Sequence, residues 1–174
     1  MVIAVLAILS AMVIPHALAG LDRSRGLSAA RYVAGRFAHA KIQAVSRSAI
    51  IALRFEEERG GITFEAFQDS NQNGVLTEDI QNGVDVPIED PTRLWELFAG
   101  ATIGVTPDAP VGRPVQLGGG SNLLSFTPTG TATGGTVYVR GPDGTQWGVR
   151  VLGATGRTRL LLWDPGRQQW FDQF

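Results

Sequence analysis

The stretch FAHAKIQAVSRSAIIALRF, Phe37 to Phe55, holds the point where the chain changes its hydrophobic period. Upstream, apolar or small residues fall at Leu27, Ala30, Ala34, Phe37, Ala38, Ala44 and Val45, close to the three-and-four spacing that turns one face of a helix toward a core. Downstream, Ile51, Leu53 and Phe55 alternate with Ala52, Arg54 and Glu56, the two-residue repeat of a half-buried strand. A helix that feeds directly into a strand predicts an α+β domain whose helix packs on the sheet it enters.

Toward the N-terminus the helix is predicted over Leu21 to about Ser48. Its other side carries Arg23, Arg25, Arg31, Arg36 and Arg47 against the single acid Asp22, which reads as a solvated face or as one that meets lipid headgroups or acidic neighbours. Pro15, Gly20 and Gly26 are expected to bend or loosen it. His16 and His39 lie far apart with no ligand partner in sequence, so both read as surface or interfacial. Before this helix stands VIAVLAILSAMVI, Val2 to Ile14, uncharged and closed by Pro15. Its thirteen residues make about 20 Å of helix, against roughly 30 Å of bilayer hydrocarbon. Three readings stand. Ala17-Leu18-Ala19 before Gly20 offers a signal-peptide cleavage site, although no Lys or Arg precedes the apolar core. A core helix apolar on every face would need protein around its whole circumference. The third reading is the distal part of a membrane helix, with Val2, Ile3, Val5, Leu6, Ile8, Leu9, Val13, Ile14 and Pro15 lining membrane or filament core.

Toward the C-terminus Gly60-Gly61 is a turn. Ile62, Phe64 and Ala66 then face one side of a partner strand, and Thr63, Glu65 and Phe67 the other. The run Asp69-Ser70-Asn71-Gln72-Asn73-Gly74-Val75-Leu76-Thr77-Glu78-Asp79-Ile80 places oxygen side chains at alternate positions with Gly74 at the sharp turn, like the first half of a calcium loop. Ca²⁺ could take Asp69, Asn71, Asn73, the Val75 carbonyl and Asp79. The twelfth position is Ile80 rather than Glu, and a polar Asn-Gly hairpin turn explains the same residues. From Gly60 to Thr92 there are seven acids and no Lys or Arg. Asp90-Pro91 predicts a helix start, with Thr92 to Phe98 helical and Leu94, Leu97 and Phe98 as its apolar contacts. Ala101 to Val105 reads as a strand and Thr106 to Asn122 as a long mobile loop. Strands follow at Leu123–Thr127, Thr136–Arg140, Gln146–Leu152 and Thr158–Trp163, separated by Gly-rich turns and so antiparallel. Trp147, Trp163, Trp170, Phe171 and Phe174 read as core and edge packing, or as a stacking platform for bases.

Among 174 residues there is no Cys, which excludes a disulfide framework, a thiolate metal site and a Cys nucleophile, and is compatible with periplasm or cytosol. The formal net charge of −1 gives no global basic surplus for nucleic acid. Locally, Arg140, Arg150, Arg157, Arg159 and Arg167 outnumber Asp143, Asp164 and Asp172 after Gly130. Arg157 and Arg159 share a strand face, so phosphate contact and a solvated sheet face are both open. No His–acid pair, G-x-S-x-G elbow or phosphate loop is present; Gly118-Gly119-Gly120-Ser121-Asn122 lacks the Lys that would complete one. Catalysis is not expected.

Val2 to Pro15, continuing without a break into charged helix, resembles the second half of the N-terminal helix of type IV pilins and pseudopilins. That family begins with a basic leader ending in Gly and a Phe-Thr-Leu-Ile-Glu type of sequence, which are not seen before this run, so Met1 is read as an internal start or a truncation. Phe37-Ala38-His39-Ala40-Lys41-Ile42-Gln43-Ala44-Val45-Ser46-Arg47, then Ile51-Ala52-Leu53, resembles the L-x-x-A-R-x-x-A-I-x-R helix end and first strand of the GspH/FimT minor pseudopilins, with Lys41 for the usual Arg. Phe126-Thr127-Pro128-Thr129-Gly130, Gly135-Thr136-Val137-Tyr138-Val139 and Gly156-Arg157-Thr158-Arg159 resemble its closing pattern.

The resemblance implies a pilin-like fold: residues 1–20 a membrane or filament-core segment, 21–48 an amphipathic helix, and 49–174 an antiparallel sheet or sandwich head. It implies a structural subunit of a type II secretion pseudopilus or type IV pilus-like filament, single-pass in the bacterial inner membrane with a periplasmic head. Its partners would be other pilin subunits, and a prepilin peptidase that cleaves the leader and N-methylates the chain. A DNA-uptake pilin using Arg157 and Arg159, with Arg140 and Arg150 nearby, is the alternative; a secreted β-domain with a cleaved signal peptide is another.

Overall fold

The computed structural model describes the backbone of residues 2–173 and the side-chain surroundings of residues 20–173. The first element, α1, runs as one helix over Val2–Arg47, through Pro15, Gly20 and Gly26 without a break. It ends where Ser48 turns left-handed at φ 50°. Ala49 N–H then reaches back to the Ala44 carbonyl at 3.3 Å, and Ser48 N–H to that of Val45 at 3.4 Å. This double bond pattern closes a helix C-terminus, with Ser where Gly is usual.

Two antiparallel sheets follow. In the first, β1 (Ile51–Glu58) and β2 (Gly61–Gln68) form the expected hairpin. β3 (Val86–Pro87) lies outside β2, and β6 (Leu123–Phe126) outside β1. The second sheet is the meander β7 (Gly135–Arg140), β8 (Gln146–Leu152), β9 (Arg157–Asp164) and β10 (Gln169–Asp172). β4 (Thr102–Ile103) and β5 (Val115–Leu117) both pair with the free edge of β7.

The helix packs against both sheets and the core lies between them. Its buried line is Gly26, Ala29, Ala30, Val33, Phe37, Ala40 and Ala44. This is rotated from the expected stripe: Ala38 is exposed and Val45 is 50% exposed. Small residues face inward because the helix sits close to the strands. A Cβ on Gly26 would lie 3.1 Å from Gly141 Cα and 3.3 Å from Trp147 Nε1, so Gly26 serves close approach. Phe37 is fully buried, edge-on to Phe55 at 6.4 Å, and Phe55 continues to Phe64 at 5.8 Å.

Several expectations change. The first sheet is buried on both faces, since Ala52 and Phe67 join Val75 and Leu123 in a second small core. The cover is the segment between β2 and β3, which contains α2 (Thr77–Gln81) rather than a hairpin turn. The helix expected at Thr92 is α3, only Leu94–Leu97, because Thr92 is held as a β-bridge by two backbone hydrogen bonds with Phe64, at 2.8 and 3.3 Å. Leu94 is buried as expected, whereas Leu97 is 54% exposed. The strand expected over Ala101 to Val105 is two residues long, and the expected loop to Asn122 contains β5. There Gln146, 1% exposed, fastens the neighbouring backbone: its Oε1 accepts Thr106 N–H at 2.6 Å, and its Nε2 reaches the carbonyls of Val139 and Gly104.

Candidate functional site

The groups that distinguish this chain are spent largely on seating the helix. On one flank of α1, Arg36, His39 and Gln43 converge on Glu89, in the segment after β3. Arg36 forms a close ion pair with it, His39 Nδ1 lies 3.2 Å from Oε1, and Gln43 Nε2 donates to the same oxygen at 3.3 Å. One turn on, Arg47 donates to Gln68 of β2 at 2.9 Å. His39, read from sequence as surface or interfacial, is half exposed and belongs to this clasp.

On the opposite flank Lys41 Nζ donates to the Thr155 carbonyl at 2.8 Å. Its stem lies over two left-handed glycines, Gly130 (φ 84°) and Gly156 (φ 56°). A Cβ on Gly156 would come within 2.7 Å of the Gly130 carbonyl oxygen and 3.2 Å of Lys41 Cδ. The helix motif, the Thr-Gly turn and the Gly-Arg-Thr-Arg element, far apart in sequence, therefore meet at one point. What they build there is a lock between helix and sheet.

The candidate calcium loop is organised by backbone donors. Asp69 Oδ1 accepts N–H from Asn71 at 3.1 Å and Gln72 at 2.7 Å, and its Oδ2 accepts Gly74 N–H at 3.0 Å. Asp85, 1% exposed, accepts Ser70 N–H at 3.2 Å and Leu76 N–H at 3.1 Å. Asp79 takes the side-chain amides of Asn71 and Asn73 at 3.1 and 2.9 Å. Val75 is 5% exposed, its side chain in the second core. Asp69, Asn71, Asn73 and Asp79 are thus brought together, but with donors between them. Among the described residues no group of three or more His, Cys, Asp or Glu is arranged to hold a metal ion. Asp85 is the loop residue that sequence spacing did not single out.

The four candidate DNA-contacting arginines do not form one patch. Arg150 and Arg159 stand opposite each other in the β8–β9 ladder, and Arg157 opposite Leu152. Arg140 pairs with Gln146 at the far end of β7, four residues (about 13 Å) from Thr136, the partner of Arg150. Arg159 is ion-paired with Asp172 at 3.1 Å, and Arg150 Nε lies 3.3 Å from Thr136 Oγ1. Arg157 is exposed; its N–H donates to Thr155 Oγ1 at 3.4 Å, and its guanidinium has no partner among the described residues. The aromatic residues pack: Trp147 is in the core, Trp170 sits 5.3 Å from Trp163 and 5.5 Å from Tyr138, and Phe171 lies under Arg167. Phe174 lies outside the described residues.

A groove of about 600 Å³ is lined by Arg23, Asp143, Trp163, Asp164 and Arg167. Two of its four aspartates hold their own turns, Asp143 at Thr145 and Asp164 at Gly166 and Arg167, and Asp172 is ion-paired with Arg159. Burial raises the Glu65 carboxyl above its ordinary range; nearby Glu56, Asp90 and Glu58 push the same way and Arg54 opposes them. Arg93 is held protonated more firmly by its hydrogen bond to Glu58. Neither arrangement places a nucleophile beside a base.

The apolar run Val2, Ile3, Val5, Leu6, Ile8, Leu9, Val13, Ile14 and Pro15 lies outside the residues whose side chains are described. Among the described residues no helix is long and apolar enough to cross a membrane.

A long helix locked on both flanks to a two-sheet head, with its polar groups engaged in that seating, defines a structural subunit that presents a helix. The family model for type II transport protein GspH matches residues 29–156, and the chain belongs to that family. A solved structure, the minor pseudopilin EpsH from the type 2 secretion system of Vibrio cholerae, is similar at 16% identity and TM-score 0.49, over 82% of this chain and 98% of that one. No curated protein matches the chain.

Proposed function

We propose that this chain is a minor pseudopilin of a type II secretion system. It is anchored in the inner membrane by its apolar N-terminal run before entering a periplasmic filament, and its precursor is processed by a prepilin peptidase. Membership of the GspH family carries this reading. The double seating of α1 supports it, because it leaves Ser28, Gly35, Ala38 and Ile42 on the outer face of the helix for neighbouring subunits. The work is contact rather than chemistry. Since the chain has no Cys, Ala38→Cys gives a single attachment point for a cross-linker. In membranes of the producing cell it is expected to link the chain to other pseudopilin subunits. Failure to capture any of them, with the protein folded and membrane-bound, would sink the reading.

The DNA-uptake alternative rests on exposed Arg157 beside Arg150 and Arg159. It requires DNA affinity that falls steeply with salt and collapses in Arg157→Ala with Arg159→Ala. With Arg159 and Arg150 already engaged, weak and equal binding by both proteins is expected.

A further inference from the structure

The end of the head nearest the apolar run holds a groove that the seating of the helix does not use. No Asp, Glu, Lys or Arg stands before Asp22 in the sequence. Gly26, four residues further along α1, is where the β7–β8 turn closes on the helix: a Cβ there would lie 3.1 Å from Gly141 Cα. Four residues of helix rise about 6 Å, and the polar layer of a bilayer is roughly 5–8 Å deep on each side of the hydrocarbon. With the apolar run in the membrane, the turn over residues 141–145 and the groove beside it stand at the level of the lipid headgroups.

The groove, about 600 Å³, is shared by α1, that turn and the β9–β10 turn, and it carries unused groups of both signs. Asp22 is held by Arg25 at 2.9 Å, whereas Arg23, which lines the groove, is exposed and its guanidinium has no partner among the described residues. Asp108, from the loop between β4 and β5, also lines it; its carboxylate is exposed and has no partner among the described residues. Arg167, its side chain 73% exposed, reaches Asp164 only at 4.0 Å. Trp163 is 5% exposed, and its indole N–H is a buried donor with no partner among the described residues.

Charge selects the ligand. Asp172 is taken by Arg159, which leaves Arg23 and Arg167 beside Asp108, Asp143 and Asp164. A simple anion would meet more negative than positive charge there, and a simple cation would be held against two guanidinium groups. A zwitterion uses both sets: guanidinium binds phosphate through paired N–H groups, and carboxylates accept N–H from a primary ammonium. Resting on the membrane-anchored reading above, we propose that this groove binds the headgroup of a lipid carrying phosphate and primary ammonium, phosphatidylethanolamine, with its phosphate toward Arg23 and Arg167 and its ammonium toward Asp108. A headgroup held there gives the head a second attachment to the bilayer beside the anchor, one that is lost when the chain leaves the membrane for the filament.

Native mass spectrometry of the full chain, released from micelles holding equimolar phosphatidylethanolamine, phosphatidylglycerol and phosphatidylcholine, tests this. One retained phosphatidylethanolamine is expected, in about fivefold or greater excess over either competitor. Arg23→Ala should cut its retention about fivefold, and Asp108→Asn should abolish the preference over phosphatidylglycerol. Neither side chain has a partner among the described residues, so both variants should keep native near-UV circular dichroism. Arg157→Ala, at the other end of β9, should leave retention unchanged. Phosphatidylglycerol or phosphatidylcholine retained as strongly as phosphatidylethanolamine, or retention indifferent to both groove substitutions, would overturn the proposal. Displacement of the lipid by equimolar soluble phosphoethanolamine would overturn the lipid as occupant. Flotation with vesicles separates this site from the reading it rests on: a chain that floats yet shows no preference loses the site and keeps the anchored-subunit reading, whereas a chain that does not float loses both.

Discussion

Replacing Asp69 by Asn separates the two readings of the acidic loop. Asp69 is 7% exposed and accepts three backbone N–H groups, two on Oδ1 and one on Oδ2. An Asn amide in its better orientation keeps the two bonds on Oδ1 but faces Gly74 N–H with its own NH₂, donor against donor. Leaving a buried donor unsatisfied costs about 1–3 kcal/mol, and the two retained bonds lose their charge assistance, roughly 1 kcal/mol more. The expected loss is about 2–4 kcal/mol, concentrated in the loop that covers Ala52, Phe67 and Leu123. Urea unfolding of the full chain in micelles, followed by tryptophan fluorescence, measures it. Because the loss arises in hydrogen bonds, it should be the same in excess EDTA and in millimolar Ca²⁺. If wild type gains stability with Ca²⁺ and the variant differs from it only when Ca²⁺ is present, the carboxylate is a cation ligand and the hydrogen-bond account of the loop fails.

Other substitutions have equally definite outcomes. Phe37→Ala removes a fully buried ring that packs edge-on to Phe55 and should cost about 3–5 kcal/mol in the same assay; a loss under about 1 kcal/mol would show that the helix does not hold the head together. Ser48→Gly relieves a left-handed non-glycine residue in the cap of α1 and should raise stability by about 1 kcal/mol, whereas Ser48→Val should lower it. Glu65 has its folded-state carboxyl raised by burial, so folding disfavours its ionised form and stability falls as pH rises through the folded value. Glu65→Gln should therefore be more stable than wild type at neutral pH, and the difference should vanish below the ordinary glutamate range near about pH 4; a gain that grew on acidification would reverse the assignment.

The elements with strong local periodicity are legible in the sequence: the β1–β2 hairpin, the β7–β8–β9 meander and the C-terminal half of α1 stand within a residue or two of their expected bounds. The buried line of the helix was less so. Hydrophobicity marks Val45, yet the line that meets the sheets is Gly26, Ala29, Ala30, Val33, Phe37, Ala40 and Ala44, small residues save for Val33 and Phe37. β3, β4 and β5 are two or three residues long and exist through pairing with distant strands, which no local pattern records. The same holds for the clasp: Gln43 and Glu89 are 46 residues apart, and Lys41 and Thr155 are 114 apart. Lys41, Gly130 and Gly156 were visible as motif residues, while their meeting at one lock required the fold. The Asp-x-Asn-x-Asn-Gly spacing reads in sequence as half a calcium loop or as a hairpin turn, and the segment instead runs on into α2. Whether its oxygens serve N–H groups or a cation depends on where the backbone donors point, and that is a property of the folded loop.

Export by the producing cell tests the central claim most directly. Delete the coding sequence, restore it on a plasmid, and measure the type II-exported proteins in the medium alongside DNA uptake in the same cultures. If the chain is a secretion pseudopilin, export falls at least about tenfold, returns with the plasmid and also with Arg157→Ala plus Arg159→Ala, and DNA uptake is unchanged. Unchanged export with loss of DNA uptake that the arginine variant fails to restore would contradict it.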